Sequence, residues 1–581
     1  MKKAAVSKIL LAAAMVAIFQ TSAWPATSSA QSYAPVAPVA NPCPRLAAGS
    51  IVENPPALFS SGGVLSVNFS YQTTTDADGR KLFCFMTPDG LENPTLHVQP
   101  GDHLQINITN NTPAAPMEMQ VNPPNCGAST ITASSVSIHY HGTNTSPTCH
   151  QDEVLHTVIN SGETFAYDVL IPQDEPPGLY WYHSHIHMHV ESSLLGGASG
   201  VIVVEGIQNF LPALVGMPQR ILVIRDQEIV NGPTPGGNIP SEDLTLNNIP
   251  IAYPQEIPAI IQMPAGRELW RVSNSSGEDI LDIQVQYNGV PQNLQIVALD
   301  GVPTGSQDGT RQATVVNANH ILIPTAGRAE FIVTAPFASV KTASLVTLAV
   351  NTGPDGDSDP QRTLATIQTV SQQTAVSSAN DTNDNAVPAK VGPTWKQRFE
   401  KLATAPVTAQ RTLYFSENNP LQQFFITVEG ATPTLFDPNN PPSIVTTLGA
   451  VEDWTIENRT LEHHEFHTHQ NHFLVLSQNY FEANGSHADP SIEGQFLDTI
   501  QVPFWDGNPN HPYPSVKIRM DFRGLDVGDF VYHCHIAEHE DHGMMAIIRV
   551  NPPSGAAQSK TSLDGGTDYT VTAVVATRSV R

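Results

Sequence analysis

The chain has 581 residues and a formal charge of −27, with 54 acidic against 27 basic side chains. That length exceeds a single hydrophobic core and fits three or four domains at ~150 residues each. The acidic balance excludes nucleic acid and anionic membrane surfaces as partners, since both repel it.

Residues 1–30 open with Lys2, Lys3 and Lys8, run through the apolar stretch Ile9 to Phe19, and reach small-residue cleavage candidates after Ala23 and Ala30. An apolar core of about 11 residues is too short to span a bilayer, so the segment reads as a secretory signal peptide. The start lacks a twin arginine, which favours export before folding. Removing the three lysines leaves a charge of about −30. No later stretch approaches ~18 apolar residues, so an exported, periplasmic or secreted protein without a membrane span is expected.

Beyond the signal, Pro and Gly are frequent, and short alternating runs such as Leu104-Gln-Ile-Asn-Ile-Thr and Gly200-Val-Ile-Val-Val-Glu recur. This is an all-β pattern. Ile106-Asn-Ile-Thr-Asn110, Trp270-Arg-Val-Ser-Asn274 and Trp454-Thr-Ile-Glu-Asn458 each alternate and end in Asn, which predicts three similar domains. We place them at 45–206, 215–372 and 396–552, with a polar linker at 373–395 and a tail at 553–581. Within the tail, the run from Tyr569 has strand character but no assigned role. Cys43, Cys84, Cys126 and Cys149 form an even set with three possible pairings. Cys126 with Cys149 is the favoured pair, because both flank the stretch carrying His139 and His141.

Four motifs gather histidines at strand spacing: His139-Tyr-His141, His183-Ser-His185, His464-Glu-Phe-His467-Thr-His469, and His533-Cys-His535 followed by His539 and Met544. Residues two apart share a strand face. His464 therefore faces opposite to His467 and His469, toward the side of Cys534, while His533 and His535 point the other way. A thiolate, two imidazoles and a thioether select copper for electron transfer. Eight further histidines remain for a cluster. Gly178-Leu-Tyr-Trp-Tyr-His-Ser-His185 aligns with Gly528-Asp-Phe-Val-Tyr-His-Cys-His535, so the first domain carries Ser184 in place of the cysteine. His187 and His189 continue the alternation and read as polar neighbours rather than ligands.

These four motifs, in this order, resemble those of the three-domain multicopper oxidases, the family of laccases, ascorbate oxidase and bacterial cuprous oxidases. The likeness spans roughly residues 45–552 and implies three cupredoxin-like Greek-key β-sandwich or barrel domains and four coppers per chain. By that resemblance His464, Cys534, His539 and Met544 bind type 1 copper, and His139 and His467 bind type 2. His141, His183 and His535 take one type 3 copper; His185, His469 and His533 take the other. Asp152 matches an aspartate near type 2 copper and Glu540 a proton-channel glutamate in similar enzymes. Two departures stand out: Glu465 follows His464 where many members have proline, and Gln470-Asn471 replaces the usual Gly-His.

The resemblance implies that a small reducing substrate gives single electrons to type 1 copper and that Cys534 relays them toward His533 and His535. Dioxygen is then reduced to water at the cluster. Met544 as axial ligand should hold the type 1 potential below that of relatives with a noncoordinating residue. Only 11 methionines and no Met-rich insert argue against a dedicated cuprous oxidase, so a laccase-like oxidase of phenols and aromatic amines is the expectation. A cuprous or manganese oxidase is the alternative, and a copper-binding periplasmic scaffold would be expected to have lost ligands. A copper nitrite reductase shares the fold but needs no type 3 pair. The segment Phe504 to Tyr513 is either an aromatic wall of the donor pocket or a surface turn. Nothing in the sequence fixes the natural donor or the oligomeric state.

Overall fold

The computed structural model describes residues 34–570, apart from 307–311, 372–398, 482–488, 490, 525–526, 554–558 and 564–565. The proposed signal peptide, the 373–395 linker and the tail beyond residue 570 lie outside the described residues. Ser559–Leu563 and Gly566–Thr570 pair as an antiparallel hairpin. Among the described residues no helix is long and apolar enough to cross a membrane.

The chain folds into three successive cupredoxin-like β-sandwiches. The first stacks a five-stranded on a four-stranded sheet, the second an eight-stranded on a six-stranded sheet, and the third a six-stranded on a five-stranded sheet. Key strands of the first are β1 (Val64–Thr75), β2 (His103–Asn110), β3 (His139–His141), β4 (Gly178–His183) and β5 (Ser199–Val204). The second contributes β6 (Gln219–Glu228), β7 (Arg267–Asn274) and β8 (Arg328–Thr334). The third contributes β9 (Val451–Asn458), β10 (His464–Thr468), β11 (Thr499–Val502), β12 (Gly528–Cys534) and β13 (Met545–Asn551). Only two short helices matter for the site, α1 (Val190–Leu195) and α2 (Ala537–Asp541).

The repeated asparagine explains itself once the strands are in place. Asn110, Asn274 and Asn458 are fully buried at the ends of β2, β7 and β9. Each side-chain amide donates to main-chain carbonyls of its own sandwich: Asn110 to Ser134 and Ile159, Asn274 to Asp279 and Ile323, Asn458 to Glu462 and Val502. Each Oδ1 accepts the N–H two residues on, an Asx turn that ends the strand. The second and third sandwiches share a further device: Trp270 and Trp454 donate their indole N–H to Glu268 and Glu452, two residues back on the same strand face.

Both disulfides lie in the first sandwich, Cys43 with Cys84 and Cys126 with Cys149. Cys534 is the free cysteine and is buried. Strand pairing sets His139 opposite His183 on β3 and β4, and His467 opposite His533 on β10 and β12. The two histidine-bearing strand pairs meet between the first and third sandwiches, with β8 of the second beside them. Gly142, directly after His141, takes φ +84°, and a Cβ there would lie 2.3 Å from Arg328 Nη2 and 2.6 Å from Asp498 Oδ2. Only glycine lets the three sandwiches converge that closely.

Candidate metal centre

The first site is built on β10 and on the segment running from β12 into β13. Alternation along β10 turns His464 toward Cys534, and α2 brings His539 back over the sulfur. Cys534 Sγ lies 3.7 Å from His464 Nδ1 and 3.6 Å from His539 Nδ1, and the two Nδ1 atoms are 3.1 Å apart. Three soft or borderline donors at these edges suit one ion with bonds of about 2.0–2.3 Å. Met544 is fully buried and locked to both partners: its N–H donates to the His539 carbonyl, and its carbonyl accepts the Cys534 N–H.

His464 is further held by Thr460 Oγ1, 2.9 Å from its Nε2, and His539 stacks on Phe424 at 4.3 Å between ring centres. Burial raises the Cys534 thiol well above its usual range, lowers the His464 imidazole, and brings His539 down to about 4. Both rings are thus neutral lone-pair donors at pH 7. His539 is the outermost of the set, 5% exposed against none for His464, Cys534 and Met544. Its Nε2 faces Glu462 at 3.4 Å. Phe504 to Tyr513 packs on the loop before His464, where Trp505 N–H donates to the Thr460 carbonyl and the Trp505 and Tyr513 rings meet at 5.1 Å.

The second site gathers all eight remaining motif histidines, each at most 2% exposed. Donor atoms of His141, His183 and His535 lie within 4.8 Å of one another, as do those of His185, His469 and His533, and those of His139, His141 and His467. Two pairs stack across the sandwich boundary, His139 on His469 at 3.7 Å and His141 on His467 at 3.9 Å. His187 instead sets its ring edge against Phe436, and His189 bonds Glu118 at 2.5 Å.

The shell around these rings selects which nitrogen is free. Nδ1–H groups of His139, His183, His467 and His533 donate to Asp152 and to the carbonyls of Ser184, Asp498 and Cys534. Such donors leave the opposite nitrogen as a lone pair for a metal. Accordingly Nε2 of His139, His183 and His467 and Nδ1 of His141 and His469 are buried without a hydrogen-bond partner. Burial first, and then neighbouring imidazoles, lower His139, His141, His467, His469 and His535 well below the usual range. Crowded neutral imidazoles with orphaned nitrogens are costly unless they bind something, so this donor set fits copper.

Both expected acids stand at the cluster. Asp152 is 2.9 Å from His139 Nδ1, accepts the Tyr140 N–H, and accepts the Gln470 amide at 2.6 Å. The departure at Gln470 therefore supplies a partner for Asp152. Glu540 sits 3.1 Å from His533 Nδ1 and 3.4 Å from His185 Nε2. Sequence reasoning missed Asp498, which reaches His141 Nε2 at 3.1 Å and is gripped by Arg328 of the second sandwich. It missed Glu462 too, although that residue lies two before His464 and so shares its strand parity.

Fold and donor set together define a copper-binding protein of the cupredoxin class. Two family models described as multicopper oxidase match residues 130–209 and 404–554, the segments that carry the four motifs. The chain belongs to the multicopper oxidase family. It is 23% identical over 466 residues to the multicopper oxidase mco of Staphylococcus aureus, covering 79% of this chain and 82% of that protein. A shorter match, 30% over 127 residues, joins 20% of this chain to 23% of a laccase of Bacillus subtilis. Among solved structures, a multicopper oxidase from Campylobacter jejuni described as a metallo-oxidase superposes with TM-score 0.61 at 20% identity, covering 87% of this chain and 96% of that one. The McoA multicopper oxidase of Aquifex aeolicus superposes with TM-score 0.62 at 18% identity, covering 87% and 100%.

Proposed function

We propose that this protein oxidises phenolic or aromatic amine donors by single electrons and couples four such steps to reduction of dioxygen to water. His464, Cys534, His539 and Met544 would hold one copper. His139 and His467 would hold a second, and the two sets His141, His183, His535 and His185, His469, His533 a third and fourth. Bound copper supplies the one-electron redox chemistry at the cysteine site and the reduction of dioxygen at the histidine cluster. The observation that carries the reading is the bonded path from Cys534 into both neighbours: His533 and His535 lie in the cluster while the sulfur between them faces His464 and His539. His539, outermost of its set, faces the donor.

Dioxygen reduction consumes protons, and the two cluster acids are placed to handle them. Asp152 orients His139 and holds a proton beside it. Glu540 faces His185 and His533 from the opposite side, 3.4 and 3.1 Å from their ring nitrogens. Export through the N-terminal segment would place the enzyme where the two disulfides persist.

A second reading, a metallo-oxidase acting on cuprous or manganous ions, is favoured by the rim of His539. Glu462 is 3.4 Å from its Nε2, and Glu417, hydrogen-bonded to Glu462, adds a second carboxyl. The two carboxyls share a proton, and the single charge left on the pair above about pH 7 attracts cationic donors. Metal analysis of the copper-loaded protein, with oxygen uptake against a phenol, Cu(I) and Mn(II), tests both readings. About four coppers per chain and one dioxygen per four phenol oxidations support the first. Turnover of a metal ion far above that of any phenol replaces it with the second, and full activity without copper overturns both.

A further inference from the structure

Glu465 occupies the position where many relatives carry proline, and proline has no N–H to donate. Here the Glu465 amide nitrogen lies 3.4 Å from Cys534 Sγ, within hydrogen-bonding range of sulfur. On its other side the Glu465 carbonyl accepts the His535 N–H at 3.1 Å. The main chain of this one residue therefore touches both the sulfur and the first residue beyond it. The side chain is fully buried and reaches into the second sandwich. There the Thr325 N–H donates to Oε1 at 3.0 Å and the Thr325 hydroxyl donates to Oε2. The same hydroxyl oxygen stands 2.7 Å from the His535 carbonyl oxygen.

We propose that Glu465 is a positioning residue for the Cys534 sulfur, its N–H acting as a hydrogen-bond donor to the thiolate and Thr325 anchoring that amide from the neighbouring sandwich. This rests on the reading of Cys534 as a copper ligand. Hydrogen bonding around the cysteine sulfur is one of the levers that set the potential of cysteine-bound copper. A thiolate that accepts an N–H shares less charge with the oxidised ion, so the reduced state is favoured and the potential rises. The lever opposes the lowering expected if Met544 also served as a donor to the ion. The Ile536 amide also reaches the sulfur, so the site holds two donors, of which proline at 465 would remove one.

The test is a redox titration of the copper-loaded wild type and variants, read at the sulfur-to-copper charge-transfer band. Glu465→Pro is expected to shift the reduction equilibrium about tenfold toward the oxidised state, about 59 mV for a one-electron couple, and to displace the band. Glu465→Gln, which keeps the N–H and can still bond Thr325, should stay at the wild-type potential. Thr325→Val should move the potential in the same direction as Glu465→Pro by a smaller amount, and Thr325→Ser should restore it. Equal potentials in Glu465→Pro and Glu465→Gln overturn the proposal. Should Glu465→Pro fail to accumulate, the Thr325 pair decides, and wild-type potential in Thr325→Val overturns it equally. A wild-type protein that binds copper without any charge-transfer band would refute the reading of Cys534 itself, a different result from coloured variants with unchanged potentials.

Discussion

Two acids flank the imidazole cluster, and the metal-free protein sets them to opposite protonation states. Burial pushes Asp152 up to about 8, despite the N–H of Tyr140. Burial also acts upward on Glu540, but the His533 and His185 imidazoles outweigh it and bring the group to about 2. At pH 7 Asp152 thus keeps a proton while Glu540 has none to give. Asp152→Asn should slow reoxidation of the fully reduced enzyme by dioxygen about 100-fold, the usual scale for a lost proton donor, with donor-side reduction unchanged in stopped-flow. Unaltered reoxidation would sink that role. Glu462 argues at the other end of the path. Above about pH 8, where Glu462 is ionised, removing its charge with Glu462→Gln should raise KM at least several-fold for a cationic donor such as Mn(II) and leave a neutral phenol unaffected, because a carboxylate ~4 Å away contributes about 1 kcal/mol or more depending on solvent exposure. Equal changes for both donors would assign Glu462 to packing alone. At this scale the proposed donor set was legible because each pair of histidines repeats at strand spacing around a unique cysteine. Asp498 and Arg328 were not, since what makes them neighbours of His141 is the meeting of three sandwiches, which no local spacing encodes.

Strands ending in a buried asparagine are the repeated element of this fold. The pattern was visible as three sequence runs ending at Asn110, Asn274 and Asn458, and the structure supplies its reason: one side chain ties off the strand and satisfies carbonyls of two following segments. Asn274 is the clean place to test this, because none of the proposed ligands lies in its sandwich. Asn274→Ala leaves those buried carbonyls unpaired and should cost about 2–3 kcal/mol, read as a lower thermal midpoint with the copper content unchanged. A midpoint within error of wild type would reduce the repeat to a packing coincidence. Other elements were illegible for a definite reason. The two short helices carry weak periodicity, and α1 depends on a carboxylate from far along the chain: Asp541 accepts the N–H groups of Val190 and Glu191 at 3.1 and 3.0 Å. A helix stabilised from 350 residues away leaves no cap signal in its own sequence.

For the molecule as a whole, the buried groups fix how stability of the metal-free protein varies with pH. Burial lowers His183 to about 3 and His185 and His539 to about 4. The unfolded chain binds more protons at these sites between about pH 4 and 6.5, so their effect is a loss of stability as pH falls through that window. Burial raises Asp152 and Glu465 to about 8 and Asp300 and Glu462 to about 7. Here the folded state binds more protons, so stability is lost as pH rises from about 4 toward 8. Above pH 6.5 the lowered histidines no longer contribute, and His156 and His320, raised by Glu153 and Asp282, act in the same direction as the acids. The thermal midpoint of the metal-free protein should therefore fall between pH 6.5 and 8.5, and a flat or rising midpoint in calorimetry would contradict the burial of these carboxyls. The three-sandwich plan was readable from the repeats, but the convergence at Gly142 and the handover of one cluster to two sandwiches were not, because strand patterns say nothing of how finished sandwiches dock. That sharing also sets a timetable for biosynthesis. His139 and His535 are separated by roughly 400 residues, so at ~5–20 residues per second a ribosome needs roughly 20–80 s to add the second half of the cluster after the first. During that interval the first sandwich already has every residue for its two disulfides, yet it offers a passing metal ion only half a cage. A chain that stops short of β12 would therefore hold only part of the cluster, in whatever order its sandwiches fold.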